Sequence, residues 1–328
     1  MNRPQHASCP PAGLLPPHLI AQLPELRDLA VRVAVEAGEL VAGGRERALA
    51  DAGAVGTKST DTDVVTVMDA RSEELLRERL AALRPGERIL GEEQGQSGPG
   101  AGPHAVSGIT WVLDPIDGTV NYLYGLPEYA VSVAAVVGDP TRDGAWWPVA
   151  GAVARPATAE VYSAHRGGGA SLRGPEGSLT LRCSVVDRLS MTLLGTGFGY
   201  DAAIRAEQAR ALVEILPAVR DIRRGGSAAL DLCRAAQGAL DAYAERGVHV
   251  WDVAAGVLVA AEAGASVGTW DGGAGRPRGV LAAPPSLRPA LEALMTSAYA
   301  RASAESSDPK LPGGEAATNR AKPVAPQG

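Results

Sequence analysis

The chain has 328 residues, enough to bury a full core as one large domain or as two abutting lobes. A formal net charge of −6 argues against nucleic-acid binding, and no apolar run is long enough to span a membrane, since 253–261 is short and meets Glu262. Aromatic residues make up only 4% of the chain, so Ala, Val and Leu must supply the core.

Residues 1–17 are proline-rich and lack the continuous apolar stretch of a signal peptide, and 1–21 is expected to be a disordered tail. Leu26, Leu29, Val33 and Leu40, with Ala37 in the gap, predict a first helix; Leu76, Leu80 and Leu83 predict a second. Between them, 58–69 runs from Lys58 to Asp69 through a strand-like alternation that by itself reads as a solvated strand edge. Strands are predicted around Ile89 and over 111–113, 130–137, 149–154, 160–164 and 179–183. Residues 97–103 form a Gly/Pro loop, and Trp146-Trp147 falls near a hairpin turn, partly buried or at a dimer contact.

After about residue 185, helices over 204–215, 227–236, 251–263 and 286–300 alternate with strands over 239–243, 266–269 and 280–282. A β-rich first half followed by alternating elements predicts an α/β (α+β) fold with two sheets and helices around them. Residues 303–328 are polar, proline-rich and expected to be disordered. Cys9, Cys183 and Cys233 are odd in number and scattered, which fits reduced thiols in a cytoplasm.

Chemistry is concentrated in a few short runs. Trp111-Val112-Leu113 leads into Asp114-Pro115-Ile116-Asp117-Gly118-Thr119, a strand tip with two carboxylates three residues apart. Buried carboxylates cost several kcal/mol unless a positive partner compensates them, and a hard divalent cation is a natural one. Pro115 stiffens the exit and Gly118 allows a tight turn, although an Asp-Gly turn is also an ordinary turn. Ile89-Leu90-Gly91-Glu92-Glu93 repeats the design of strand, glycine and acid. Trp251-Asp252 precedes a small-residue helix, with Asp252 at the expected N-cap, and a cap alone would explain it.

Together with 58–69, these runs resemble the inositol monophosphatase family of Mg²⁺-dependent phosphatases, in the family's order, from roughly residue 23 to 302. The resemblance implies a five-layer αβαβα sandwich over 22–302, two or three Mg²⁺ ions and a homodimer. It implies that Glu92, Asp114 and the Ile116 carbonyl hold a first ion, and Asp114, Asp117 and Asp252 a second. Asp69 and Thr119 would polarise the attacking water, Lys58 would stand near the metals, and Glu93 is a less defined neighbour. The backbone of Gly118 and Thr119 would hold phosphate. Gly226, Ser227 and Ala228 would line the substrate pocket, and Glu245 would bind polyol hydroxyls.

The activity implied is hydrolysis of inositol 1-phosphate by direct attack of metal-activated water. Fructose-1,6-bisphosphate and histidinol phosphate are alternative substrates, an adenosine bisphosphate the weakest, and a regulatory interaction protein on the same scaffold the non-catalytic alternative. Arg223 and Arg224 suit either a second phosphate or structural ion pairs, with the latter favoured. His249 is expected in a supporting role. Gly195-Thr196-Gly197-Phe198-Gly199 lacks the full dinucleotide fingerprint and is set aside.

Overall fold

The computed structural model describes residues 15–50, 55–58, 60, 64–98, 108–272 and 276–305. The chain opens with α1 (Pro17–Ala50), the hairpin strands β1 (Val55–Thr57) and β2 (Val64–Thr66), and α2 (Val67–Leu83). Strands β3 (Arg88–Gly91), β4 (Gly95–Ser97) and β5 (Ile109–Asp117) follow, then α3 (Thr119–Tyr124). An antiparallel run comprises β6 (Ala130–Gly138), β7 (Trp146–Arg155), β8 (Glu160–His165), β9 (Ala170–Gly174) and β10 (Gly177–Thr180). The second half contains β11 (Leu193–Gly195), α4 (Ala202–Ala218), β12 (Asp221–Arg223), α5 (Ala228–Gln237) and β13 (Ala242–Arg246). It ends with α6 (Val250–Glu262), β14 (Ser266–Trp270), β15 (Gly279–Ala283) and α7 (Arg288–Glu305).

The larger sheet has the order β10-β9-β8-β7-β6-β5-β3-β4 and the smaller β12-β11-β13-β15-β14. Helices α1 and α2 cover one face of the larger sheet, α5 and α6 lie between the sheets, and α4 and α7 cover the far face of the smaller. This is the expected αβαβα sandwich. The middle layer is thin because its residues are small. A Cβ on Gly256 of α6 would stand 2.8 Å from Leu232 of α5, and one on Gly151 of β7 would stand 3.2 Å from Ala255. Small Ala and Gly side chains in this layer therefore set how close the two sheets approach.

Several expectations need correcting. Residues 17–21 are helical rather than a tail, because Leu19 joins Leu23 and Leu26 in the apolar stripe of α1 and Leu15 is buried before it. At the other end α7 runs through 303–305; the remaining tail residues lie outside the described ones, as does Cys9. The strand expected at 179–183 is β10, an exposed edge ending at Thr180, and the one expected at 239–243 is β13, displaced toward Arg246. Trp146 and Trp147 open β7 opposite Gly138 and Val137, both half-buried.

Of the leucines predicted to face the core from α2, Leu76 and Leu80 do so, whereas Leu83 is 43% exposed in the last turn. Leu80→Ala is therefore expected to lower the unfolding free energy by about 3 kcal/mol, and Leu83→Ala by less than about 1 kcal/mol. Urea midpoints at unchanged slope measure both, and equal losses would place Leu83 in the core.

Candidate active site

Every residue of β5 is buried, including Asp114 and Asp117, so the strand continues through the acidic motif rather than ending before it. In a regular strand, side chains three residues apart face opposite sides. Here the β5–β6 register slips, Asp114 pairing with Ser132 but Asp117 with Ala130. The extra residue makes a bulge, which accommodates Pro115 with its missing N–H and turns both acids to one side. Asp114 Oδ1 accepts the Ile116 N–H at 3.1 Å. Gly118 follows at φ 92°, and a Cβ there would stand 2.8 Å from the Glu128 carbonyl and 3.1 Å from that of Gly226.

Strand β3 runs parallel to β5 with Gly91 opposite Leu113, and the Glu92 N–H donates to the Leu113 carbonyl at 3.2 Å. Parallel pairing brings the two C-terminal tips to the same edge, so Glu92 emerges beside Asp114. Lys58 Nζ donates to Glu92 Oε1 at 2.7 Å and to Glu93 Oε1 at 2.5 Å. From the middle layer, Ser227 Oγ and the Ala229 N–H donate to Asp117 Oδ2 at 2.6 and 2.7 Å. Asp117 thereby sits at the positive end of α5 and fastens it to the larger sheet. Asp252 is not the N-cap of α6: the cap is His249, whose N–H donates to Asp252 Oδ2 at 2.6 Å from three residues away. His249 also stacks on Trp251 at 4.9 Å, the supporting role expected of it.

Asp69 caps α2. Its Oδ2 accepts the Thr66 N–H at 2.8 Å and the Thr66 hydroxyl at 2.6 Å. Its Oδ1 lies 3.1 Å from Thr119 Oγ1, which is also 2.9 Å from the Ile116 carbonyl. The single Thr119 proton serves one of these acceptors at a time. Asp61 and Asp63 of the same sequence run lie outside the described residues.

Electrostatically, the acids form one system. Burial raises the Asp114 carboxyl well above its ordinary range, and Glu92, Asp117, Asp252 and Asp69 push it further. Asp252 is raised for the same reason, burial first and then Asp117 and Glu92. Burial lifts Asp117 to about 7 against its bonds from Ser227 and Ala229, and lifts Asp69 to about 6 against those from Thr66. Burial disfavours the Lys58 ammonium, but Glu92 and Glu93 outweigh it and hold the pKa above normal. Glu93 is raised by burial despite Lys58. Among the described residues no three carboxylate, histidine or cysteine side chains form a closed metal cage. The donor set is nevertheless all oxygen, buried and mutually repelling, which fits a hard divalent cation.

Glu245 stands on β13, with the Tyr243 hydroxyl donating to its Oε2 at 2.9 Å. Burial raises Glu245 to about 7, helped by Asp231 and Asp117. The glycine run set aside above makes room for it, because a Cβ on Gly197 would fall within 2.2 Å of both carboxylate oxygens. Gly226, at φ 88°, precedes Ser227, whose hydroxyl is engaged by Asp117 and by the Leu230 N–H at 3.2 Å, and Ala228 begins α5. Arg223 pairs with Asp221 at 2.6 Å, whereas Arg224 lies against Gly226 with no ion-pair partner among the described residues. Sequence reading missed Asn121, whose amide donates to the Glu128 carbonyl at 2.7 Å and the Gly225 carbonyl at 2.9 Å, tying α3 to the Gly225-Gly226 turn. Its place two residues after Thr119 was the available signal.

Comparison with known proteins places the chain in a family and a fold. The profile of the inositol monophosphatase family matches residues 22–304. The inositol-1-monophosphatase SuhB of Mycobacterium tuberculosis is 54% identical over 253 residues, spanning 74% of this chain and 83% of that protein. The protein named Nus factor SuhB of Pasteurella multocida is 38% identical over 247 residues, 75% of this chain and 85% of its own. The solved structure of Mycobacterium tuberculosis SuhB superposes with a TM-score of 0.68 at 46% identity, covering 84% of this chain and 97% of its own. The chain therefore belongs to the inositol monophosphatase family and is a phosphoric monoester hydrolase.

Proposed function

We propose that this hydrolase converts inositol 1-phosphate to inositol and phosphate, with Mg²⁺ as cofactor and water as the direct nucleophile, and that it acts as a cytoplasmic homodimer. The observation that carries the reading is the convergence of Glu92, Asp114, Asp117 and Asp252 into one mutually repelling oxygen cluster. The name of the mycobacterial relatives supports the substrate. The name Nus factor SuhB, carried by the Pasteurella and Xylella fastidiosa relatives, supports a non-catalytic role, against which stands the full set of acids.

Glu92, Asp114, Asp117, Asp252 and the Ile116 carbonyl are the groups that would hold Mg²⁺, which when bound supplies charge neutralisation for the phosphate and acidification of water. The protein's own part is proton handling and orientation. When the Thr119 hydroxyl donates to Asp69 Oδ1, its lone pairs are free to accept from a water, and the Ile116 carbonyl is free as well. Asp69, raised to about 6, is a base suited to neutral solution. The backbone of Gly118 and Thr119 would orient phosphate oxygens. Gly226 and Ala228 would shape the pocket beside them, and Ser227 would reach the substrate through its backbone. Glu245 would accept hydroxyl protons of a polyol, a role its position against Gly197 and Tyr243 supports.

Phosphate release from inositol 1-phosphate, fructose 1,6-bisphosphate and histidinol phosphate, each with and without Mg²⁺, tests the function. The expected result is Mg²⁺-dependent turnover with kcat/KM highest for inositol 1-phosphate, lost in Asp117→Asn. Another winning substrate would overturn the pocket reading, and no turnover on any would favour the interaction protein. Glu245→Gln is expected to raise KM for inositol 1-phosphate about tenfold, the scale of one charged hydrogen bond, and to leave the Mg²⁺ activation curve in place. A shifted activation curve would move Glu245 into the metal cluster.

The raised carboxyls also fix the sign of a pH effect. Asp69, Asp117 and Glu245 titrate near 6, 7 and 7 when folded, against 3.8, 3.8 and 4.5 ordinarily, so the native state binds more protons across that window. Their contribution to stability is present below about pH 4 and lost as pH rises through about 7. Metal-free protein should melt at a lower temperature at pH 8 than at pH 5.5, and saturating Mg²⁺ should recover the loss at pH 8. Calorimetry measures both, and a pH 8 melting point indifferent to Mg²⁺ would count against the cluster.

A further inference from the structure

Besides its apolar stripe, α2 carries a polar one, Asp69, Ser72 and Glu73, spaced i, i+3 and i+4 and fully buried. Each residue reaches a different segment of the site. Asp69 meets Thr119, and Ser72 Oγ donates to the Pro115 carbonyl at 3.0 Å, inside the β5 bulge. Glu73 accepts the Glu93 N–H on Oε2 at 2.7 Å and the Gln94 N–H on Oε1 at 3.0 Å. One turn on, Arg77 Nε donates to Glu73 Oε1 at 2.8 Å, while its other nitrogens donate to Ser97 Oγ and the Gly95 carbonyl. The β3–β4 turn is thus gripped on its N–H groups by a carboxylate and on its carbonyl side by a guanidinium. A Cβ on Gly91 would fall 2.4 Å from the Glu73 carboxylate, so the strand leading to Glu92 passes directly over it.

We infer that Glu73 is a positioning residue, which fixes the turn bearing Glu92 so that the Glu92 carboxylate stands where it faces Asp114. The Glu93 and Gln94 N–H groups point at a carboxylate that is itself fully buried, so Glu73 is what holds them. A buried ion pair is also a poor source of stability compared with apolar side chains of its volume. What the Glu73–Arg77 clasp provides is a fixed backbone from Glu92 to Gly95. The inference rests on the proposed cation-binding role of Glu92.

The test is Mn²⁺ titration followed by electron paramagnetic resonance, paired with hydrogen exchange of the 91–97 amides, on wild type, Glu73→Gln and Leu80→Ala. Glu73→Gln keeps the shape but turns one acceptor into an NH₂ group facing a donor. It is expected to weaken Mn²⁺ binding about tenfold and to speed exchange at 93–94. Leu80→Ala loosens the same helix without touching the turn and should leave Mn²⁺ affinity within about twofold. An Mn²⁺ affinity of Glu73→Gln matching wild type, or an equal loss in Leu80→Ala, would overturn the positioning role. Should Glu73→Gln fail to fold, Glu73→Asp, too short to reach both N–H groups, carries the same expectation. A wild type with no saturable Mn²⁺ site would overturn the cation reading first and this inference with it.

Discussion

Repulsion among buried acids is the constraint around which this fold is arranged. Asp114 and Asp117 are almost fully buried on β5, Glu92 comes off β3 beside them, and Asp252 enters from the middle helical layer. Left to themselves, such groups would be expelled to solvent or would neutralise by taking up protons, and the raised carboxyls of Asp114, Asp117 and Asp252 show the pressure toward the second outcome. They stay because Glu92 is held by Lys58 and the others by donors built into secondary structure. Asp117 accepts two bonds at the start of α5, Asp252 the His249 N–H at the start of α6, and Asp69 two bonds from Thr66 at the start of α2. Three helix beginnings therefore meet at the acid cluster, each presenting the positive end of its dipole.

That arrangement depends on close approach between layers. Ser227 reaches Asp117 only because Gly118 and Gly226 let the two backbones nearly touch, and α5 and α6 fit between the sheets only because Gly256 and Gly151 carry no side chain. The aromatic-poor composition and the geometry of the site are thus one property. A larger residue in the middle layer would move the Ser227 and Asp252 side of the cluster away from the Asp114 and Asp117 side.

Local motifs in the sequence located the acids because their signals are local: a glycine after a strand, a proline no central strand tolerates without a bulge, and an acid at a helix start. The sandwich followed from the family resemblance, whereas the alternation of elements alone supported only two sheets with helices. What stayed hidden depends on residues distant in sequence. Nothing near Glu73 marks it as a partner of Glu93, twenty positions on, since an acid beside another, Glu74, in a helix reads as solvent-facing. Asp252 was placed one turn too early because an acid before an apolar helix reads as a cap, and the extended backbone of His249 is invisible in sequence. The tail boundary at residue 21 failed because Pro16 and Pro17 read as loop, although proline is well suited to the first turn of a helix.

The acids also share a division of labour between their two oxygens. Asp114 gives Oδ1 to the Ile116 N–H, Asp252 gives Oδ2 to His249, Glu92 gives Oε1 to Lys58, and Asp69 gives Oδ2 to Thr66 while Oδ1 faces Thr119. A carboxylate held by one oxygen has its plane set, so the direction of the other oxygen is set as well. The structural bonds and the chemical task therefore do not compete for the same atom. The cost of holding repelling acids together is met by one oxygen of each, and the second oxygen is left clear of those structural bonds. Preorganisation of this kind is what a site needs to act on developing charge without rearranging during the reaction. It also explains why the supporting donors are mostly backbone N–H groups and short hydroxyls, which have little freedom of their own to lose.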